Sequence, residues 1–324
     1  MKAVVCRQFG PPEELVIIEV DNPIAGEGQL VIDVKAAAVT FPDTLIIQNK
    51  YQYKADLPFT PGGEITGVVS QVGSNAQGFS VGDRVKASAG QVGGFAEQLL
   101  VSTTSVSKIP NTVSFAQSLG VLYTYGTAYY ALKYRANIKQ GDNLLVLGAA
   151  GGVGLAAIEL GKLEGARVIA AASNREKLAM CQSRGADAVI NYSIDNIKER
   201  GMELTNGQGF DVIMDCVGGD YAEAALRAIT WNGCFLVVGF TAGIPVIPLN
   251  LALLKSCHIT GVFLGREFER SPEFKQSLFS ELISYISSGK LQPLISKRYS
   301  LDEVQLALKD MLERKVIGRV IIEP

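Results

Sequence analysis

The sequence predicts an α/β protein of two domains: a strand-rich domain, and a doubly wound parallel-sheet domain inserted before the chain returns to the first. Three observations carry that reading. The 324 residues exceed what a single hydrophobic core usually organises. Over the first ~115 residues, apolar and polar positions alternate between frequent Gly and Pro, the period of half-buried strands. From about Ser114 short continuous apolar runs alternate with helical spacing, the pattern of parallel strands covered on both faces.

The elements follow in order. The N-terminus, M-K-A-V-V-C-R-Q-F, reads as a strand, because Arg7 interrupts the run before a signal-peptide core could form. Leu30–Ala36, Glu64–Val72 and Arg84–Ala87 are expected strands, the last opened by a tight turn at Gly82-Asp83. Ser114–Leu122 and Thr127–Tyr134 have helical spacing. Strands are then expected at Leu144–Leu147, Arg167–Ala171, Ala188–Ile190, Val212–Asp215 and Cys234–Val238. Helices over Gly152–Leu163, Glu176–Arg184 and Ala222–Ile229 lie between them, and Ile259–Phe263 adds an edge strand. Amphipathic helices are expected over Phe274–Ser288 and Leu301–Arg314. A final strand, Arg319–Ile322, fits the β-rich part better than another βα repeat. The expected domains are therefore residues 1–120 with 267–324, and residues 121–266.

Composition narrows the function classes. The chain is 48% hydrophobic and 19% charged, with net charge −2. Nucleic-acid binding rests on clustered Lys and Arg, and this balance carries no such footprint. No apolar run reaches the ~18 residues a membrane helix needs. Five cysteines are scattered and form no C-x-x-C, which argues against a disulfide framework and for a reducing, cytoplasmic setting.

The sharpest motif is Leu144–Gly154, L-L-V-L-G-A-A-G-G-V-G. A strand enters a glycine turn and leaves as a helix. Such a turn lets backbone N–H groups and a helix N-terminus approach a pyrophosphate, because glycines remove the Cβ atoms that would block it. The literal match is A-x-G-x-x-G over Ala149–Gly154, so Ala150, Gly151, Gly152, Val153 and Gly154 are the candidate contacts. The end of the second strand decides the cofactor. An acid there, about twenty residues on, would bind the ribose 2′-hydroxyl of NAD. Ala172 occupies that position, followed by Ser173, Asn174, Arg175, Glu176 and Lys177. A small neutral residue removes the anion that would repel a 2′-phosphate, and Arg175 and Lys177 offer cations for it. Tyr192, just past the third strand, can add a hydroxyl. NADPH is the expected cofactor.

These residues join V-G-D-R-V (Val81–Val85), G-G-F-A-E-Q (Gly93–Gln98) and D-V-I-M-D-C-V-G-G (Asp211–Gly219). Over essentially its whole length the chain resembles the zinc-free medium-chain dehydrogenases/reductases, specifically the NADPH:quinone oxidoreductases that include the lens zeta-crystallins. The resemblance implies a GroES-like β-rich domain, a Rossmann domain binding NADPH, and a homodimer formed through the Rossmann sheets. It places the 2′-phosphate on Ser173, Lys177 and Tyr192, and the nicotinamide beside Gly239-Phe240-Thr241 and Val262-Phe263-Leu264. It puts Thr127 near the nicotinamide ribose, and Val217 in the Asp211–Gly219 motif is a further cofactor candidate. An asparagine commonly opens the N-F-x-D box beside the nicotinamide; here the box reads Thr40-Phe41-Pro42-Asp43. Thr40 keeps a hydroxyl and loses the amide, and Thr40 and Asp43 are candidate active-site residues.

The zinc members of the wider family carry a histidine immediately before the glutamate of a glycine box. Here Thr60–Val69 reads T-P-G-G-E-I-T-G-V-V, with Gly63 at that place. A catalytic zinc takes about three ligands from Cys, His and carboxylate, and the chain has one histidine, His258, in an apolar run. No metal is expected, and Glu64 reads as a structural residue. Gly78–Gly82 matches the G-x-S-x-G of hydrolases, but it precedes a turn and a strand rather than joining a strand to a helix. It is a chance match.

Without a Lewis acid to polarise a carbonyl, the fitting acceptors are already electrophilic: quinones, or conjugated enones and enoyl thioesters. Tyr51 lies where related enoyl reductases place a proton-donating tyrosine; Tyr53 and Tyr125 are alternatives, and all three could simply wall an apolar pocket. A CoA thioester would call for a basic cluster, and Lys50–Lys54 is only mildly basic. A non-enzymatic NADPH-binding role is the remaining reading.

Overall fold

Leu144–Leu147 has no polar side chain, and the structure gives it no exposed surface: each residue is fully buried in the middle of a parallel sheet. In this computed structural model, which describes residues 1–324 except 89 and 91, that sheet has six strands. Their order is Ala188–Asn191, Arg167–Ala172, Asn143–Leu147, Phe210–Asp215, Ile229–Val237 and His258–Gly261. Every pairing is parallel. The chain winds outward from Asn143–Leu147 in one direction, then returns to start again on its other side at Phe210–Asp215. The carboxyl end of Asn143–Leu147 is thus the topological switch point, where such sheets bind ligands. Leu145, Ile169, Ile213, Phe235 and Leu226 share one buried cluster beneath the flanking helices.

The chain divides into two compact units, Met1–Gly120 with Ile283–Pro324, and Val121–Leu282. Inside the first, a seven-stranded sheet runs Ile295–Ser300, Arg319–Glu323, Gln29–Val39, Glu64–Val72, Arg84–Ser88 and Val106–Lys108, with Gln98–Ser102 also paired to Gln29–Val39. The pairings are antiparallel except Ile295–Ser300 with Arg319–Glu323. The C-terminal strand lies against Gln29–Val39, with Val320 opposite Val39 and Ile321 opposite Ala38. Lys2–Val5 pairs separately with Val16–Glu19.

Differences from the expected elements have local causes. The return to the first unit falls after Leu282 rather than at residue 267. The start of the helix Pro272–Ser287 is held in the second unit: Tyr129 Oη donates to Glu281 Oε1 at 2.7 Å, and Tyr134 meets Phe274 edge-on at 5.0 Å. The helix expected over Ser114–Leu122 is only Phe115–Ser118. Ser114 and Gln117 cap its start, and Gly120 at φ +70° stops it. Helical chain then resumes from Val121 to Arg135, with π-type turns on both sides of Thr127–Tyr129.

The helix expected over Ala222–Ile229 is Tyr221–Arg227, and Ile229 already opens the next strand. The edge strand expected over Ile259–Phe263 is His258–Gly261, and Phe263 instead precedes the helix Leu264–Arg270. Two further helices, Ile197–Leu204 and Asn250–Lys255, bury few side chains of their own and so leave little period to read. The strand Ile295–Ser300 buries only Tyr299, so its alternation is invisible.

Candidate functional site

The turn at the switch point is built from close approaches that only glycine tolerates. Gly148 has φ +72°, and a Cβ there would meet Val217 at 2.8 Å. A Cβ on Gly154 would stand 2.4 Å from the Gly148 carbonyl oxygen and 2.6 Å from Ala149 Cα, so the first turn of the helix packs directly on the loop. Gly151 occupies the N-cap of the helix Gly152–Leu163, and no side chain caps it. A helix start left open in this way, with a positive dipole end and free-facing amides, fits a pyrophosphate.

Ala172 ends its strand fully buried, with no acid to repel a phosphate. Beyond it the chain turns into the helix Arg175–Ser183, capped by Asn174, whose Oδ1 accepts from Lys177 N at 2.9 Å. Lys177 Nζ reaches back to Ser173 Oγ at 3.5 Å. The neighbouring strand brings Tyr192 alongside: Tyr192 N donates to Ala172 O at 3.2 Å, and Ser193 Oγ to Ser173 O at 2.9 Å. Ser173 and Lys177 thus lie just past the end of one strand and Tyr192 just past the end of its neighbour, while Arg175 is exposed. Asn174 is spent on capping.

At the other side of the switch point, Asp215 ends its strand buried. Its Oδ1 accepts from Val217 N at 2.8 Å and Gly218 N at 2.9 Å. Burial raises its carboxyl above the ordinary value, and those two amides oppose the rise. Val217 is held again through its carbonyl, which accepts from Ala242 N at 2.7 Å. Thr241 Oγ1 donates to Cys216 O at 3.3 Å, and Gly239 N to Asp215 O at 3.2 Å, so Gly239-Phe240-Thr241 lies along this turn. Phe240 and Phe263 are exposed. Leu264 is buried, with a methyl 3.2 Å from where a Gly126 Cβ would stand. Thr127 Oγ1 donates to Tyr123 O at 2.6 Å, inside its own helix.

The active-site candidates of the first unit surround Asp43. Its Oδ2 accepts from Thr40 N at 2.7 Å and from Thr40 Oγ1 at 2.6 Å, closing the first turn of the helix Phe41–Ile46. The Gly62 amide is a further donor, so the Thr40 turn and the glycine box share one carboxylate. Burial pushes Asp43 up to about 6, against the pull of those donors. Tyr51 is half-buried against the core. Burial raises its phenol, and the charge of Asp43 adds to the rise.

Glu64 starts its strand fully buried. Oε2 accepts from Gly120 N at 2.8 Å, and Oε1 pairs with Lys86 Nζ at 3.1 Å. Buried Arg319 packs against Gly120 on the same side: a Cβ on Gly120 would touch Nη1 at 2.2 Å. Glu64 thus joins a strand, its neighbour and the turn at Gly120. Among the described residues no group of three or more His, Cys, Asp and Glu could hold a metal ion, and His258 is exposed on the edge strand. All five cysteines are free thiols. No helix among the described residues is long and apolar enough to cross a membrane.

A glycine turn at the switch point of a six-stranded parallel sheet, and a separate β-rich unit, are the parts of a medium-chain dehydrogenase/reductase. Residues 26–111 match the family model described as alcohol dehydrogenase GroES-like domain, and residues 152–284 the model described as zinc-binding dehydrogenase. The chain is 41% identical to a quinone oxidoreductase-like protein 2 homolog of Nematostella vectensis, over 99% of this chain and 88% of that protein. It is 32% identical to human quinone oxidoreductase, over 99% and 97%. The structure of Escherichia coli quinone oxidoreductase complexed with NADPH superposes with a TM-score of 0.92 at 28% identity, covering all of both chains. The chain belongs to the zinc-free quinone oxidoreductase family of the medium-chain dehydrogenases/reductases, and it is an oxidoreductase.

One residue of the site escaped the sequence reading. The Tyr221 ring lies 4.5 Å, centroid to centroid, from that of Tyr192. Nothing in the spacing of two tyrosines 29 positions apart signals this contact; it arises where the turn after Ala188–Asn191 and the start of the helix Tyr221–Arg227 come together in the fold.

Proposed function

We propose that this protein reduces quinones, or similarly electron-poor acceptors, by direct hydride transfer that needs no metal. The observation that carries the reading is the meeting of Ser173, Lys177 and Tyr192 beside neutral Ala172, in a chain with no metal-ligand cluster among its described residues. Bound NADPH supplies the hydride. The chain's own part begins with the glycine turn, Ala150 to Gly154, receiving the pyrophosphate on the open helix start. Lys177, with Ser173, Tyr192 and Arg175, neutralises the 2′-phosphate. Val217 and Gly239-Phe240-Thr241 hold the loops beside the switch point, with Thr127, Phe263 and Leu264 as the remaining contacts.

In the first unit Thr40 spends its hydroxyl proton on Asp43, which leaves only oxygen lone pairs to receive a donor. That replaces the amide an asparagine would present. Tyr51 keeps its proton at neutral pH, since burial and the Asp43 charge both raise it, and so can act as an acid. A reduced quinone is protonated on oxygen, which solvent can accomplish. A reduced enone needs a proton on carbon, and there a positioned acid matters more. Tyr51 therefore supports enone or enoyl-thioester reduction as a second reading.

Oxidation of NADPH and NADH with a panel of quinones, enones and enoyl-CoAs tests both readings. The quinone reading expects NADPH-dependent quinone turnover that survives Tyr51→Phe. The second expects enone turnover that falls at least tenfold in the same variant. NADPH binding with no turnover on any acceptor would leave a non-enzymatic cofactor-binding role.

The homodimer implied by the family is supported by the edge strand His258–Gly261 and by exposed Val246, Leu249, Leu253, Leu254 and Ile259 around it. Light scattering at micromolar concentration checks it. Free thiols fit a reducing compartment such as the cytoplasm.

A further inference from the structure

We infer that Tyr221 is a specificity-positioning residue: its ring holds Tyr192 in the orientation that serves the 2′-phosphate, and so contributes to the choice of NADPH over NADH. The inference rests on the assignment of Ser173, Lys177 and Tyr192 to that phosphate.

The two rings stand 4.5 Å apart, centroid to centroid, with planes inclined at 44°. Both are half-buried and pack on the same apolar cluster beneath the sheet. Tyr192 follows the last residue of the strand Ala188–Asn191, and its backbone N donates to Ala172 O at 3.2 Å. The residues after it turn at once, with Ser193 and Asp195 bonded back to the strand ends. A tyrosine side chain at such a strand end has staggered alternatives at χ1, and a ring packed on one face removes the ones that swing away.

Tyr221 in turn is placed by rigid chain. It opens the helix Tyr221–Arg227 after the N-cap Asp220, which follows Gly218 and Gly219, both at positive φ. That turn is clamped by buried Asp215, which accepts from the Val217 and Gly218 amides, and by Gly219 N donating to Gly243 O at 2.8 Å. The D-C-V-G-G sequence at Asp215–Gly219 thus has a consequence at the edge strand Ala188–Asn191, which is not its neighbour in the sheet. It sets the ring that fixes the hydroxyl on the far side of the switch point. Tyr221 acts on the cofactor only through Tyr192. Its loss is felt by a cofactor that carries the 2′-phosphate and not by one that lacks it.

Dissociation constants for NADPH and NADH, measured by calorimetry on the full chain, test this. Tyr221→Ala is expected to weaken NADPH about three- to tenfold, the equivalent of one aromatic pair. NADH binding should stay within twofold. Tyr221→Phe keeps the ring and should retain wild-type selectivity. Should Tyr221→Ala fail to fold, Tyr221→Leu, which fills the space without an aromatic face, carries the same expectation. Equal weakening of NADPH and NADH would overturn the inference, because Tyr221 would then serve a part common to both cofactors. So would an unchanged NADPH constant. Lys177→Ala separates this failure from that of the underlying assignment. If Lys177→Ala weakens NADPH alone while Tyr221→Ala does nothing, the phosphate group stands and the role of Tyr221 falls. If Lys177→Ala is equally silent, the phosphate assignment itself is wrong.

Discussion

Lys86→Met should destabilise the first unit more than any surface substitution, because it strands a buried carboxylate. Lys86 Nζ and Glu64 Oε1 are 3.1 Å apart, and their side chains are 3% and 0% exposed. At an effective dielectric of about 20, two unit charges at that distance attract by about 5 kcal/mol. Much of this is offset by the cost of taking both ions out of water, so the pair adds little net stability. Breaking it from one side is another matter: the partner keeps its desolvation cost and loses its compensation, typically about 3–5 kcal/mol. For a unit of this size that corresponds to roughly 6–20 °C in its melting transition. Glu64→Leu should cost at least as much, since it also leaves the Gly120 amide without its acceptor. The double variant Glu64→Gln with Lys86→Met removes both charges but keeps an oxygen for Gly120 N. It should recover most of the loss. Differential scanning calorimetry of wild type, Glu64→Gln, Lys86→Met and the double variant closes the cycle. Shifts below 2 °C for both single variants, or losses that simply add in the double, would refute the argument that this glutamate is a structural keystone.

Three further outcomes follow from the same geometry. Gly154→Ala should abolish NADPH binding with little effect on the β-rich unit, since its Cβ would lie 2.4 Å from the Gly148 oxygen and open the turn; cofactor fluorescence titration and calorimetry read the two effects. Ala172→Asp places an anion beside the 2′-phosphate group, and the ratio of NADPH to NADH affinity should fall at least tenfold. Asp43, pushed up to about 6 from 3.8 by burial, contributes stability that is complete below about pH 4 and lost as pH rises through about 6. The loss amounts to about 3 kcal/mol. The difference in melting temperature between wild type and Asp43→Asn should therefore change across pH 4.5–7.5, and a pH-independent difference would contradict the buried-carboxylate argument.

Legibility in the sequence followed the strength of local pattern. Gly152–Leu163 is the helix expected, residue for residue, because a glycine turn starts it and apolar residues at helical spacing sustain it. The central strands differ from their expected bounds by two residues at most, except Ile229–Val237, which begins five residues before the expected Cys234 because Ile229 also continues the helical spacing of Ala222–Ile229. Ile295–Ser300 could not be seen: one buried side chain in six carries no period. The return of the chain to its first unit was misplaced for a related reason. The helix Pro272–Ser287 reads the same whichever unit its first turns pack on, and contacts with Tyr129 and Tyr134 decide it.

The candidate site divides the same way. Ala172, Lys177 and the glycine turn could be read from spacing, because the strand-turn-helix unit converts sequence distance into position. The neutral strand end and the lack of a metal-ligand set already excluded both an NAD-type acid and a zinc centre as the simplest readings. Gly63 preceding Glu64 was legible as the loss of a ligand, but not what the glutamate does instead. Its bonds to Lys86 and Gly120 join residues 22 and 56 positions away. Likewise the hold of Tyr221 on Tyr192 and the three donors converging on Asp43 appear only once the chain is folded. Local steric and hydrogen-bonding rules act within about a turn or a strand, so the sequence by itself determines the glycine turn, the sheet order's raw material and the neutral strand end at Ala172. Long-range packing has no local signature, and only the tertiary structure decides which buried charges pair and which rings hold one another in place.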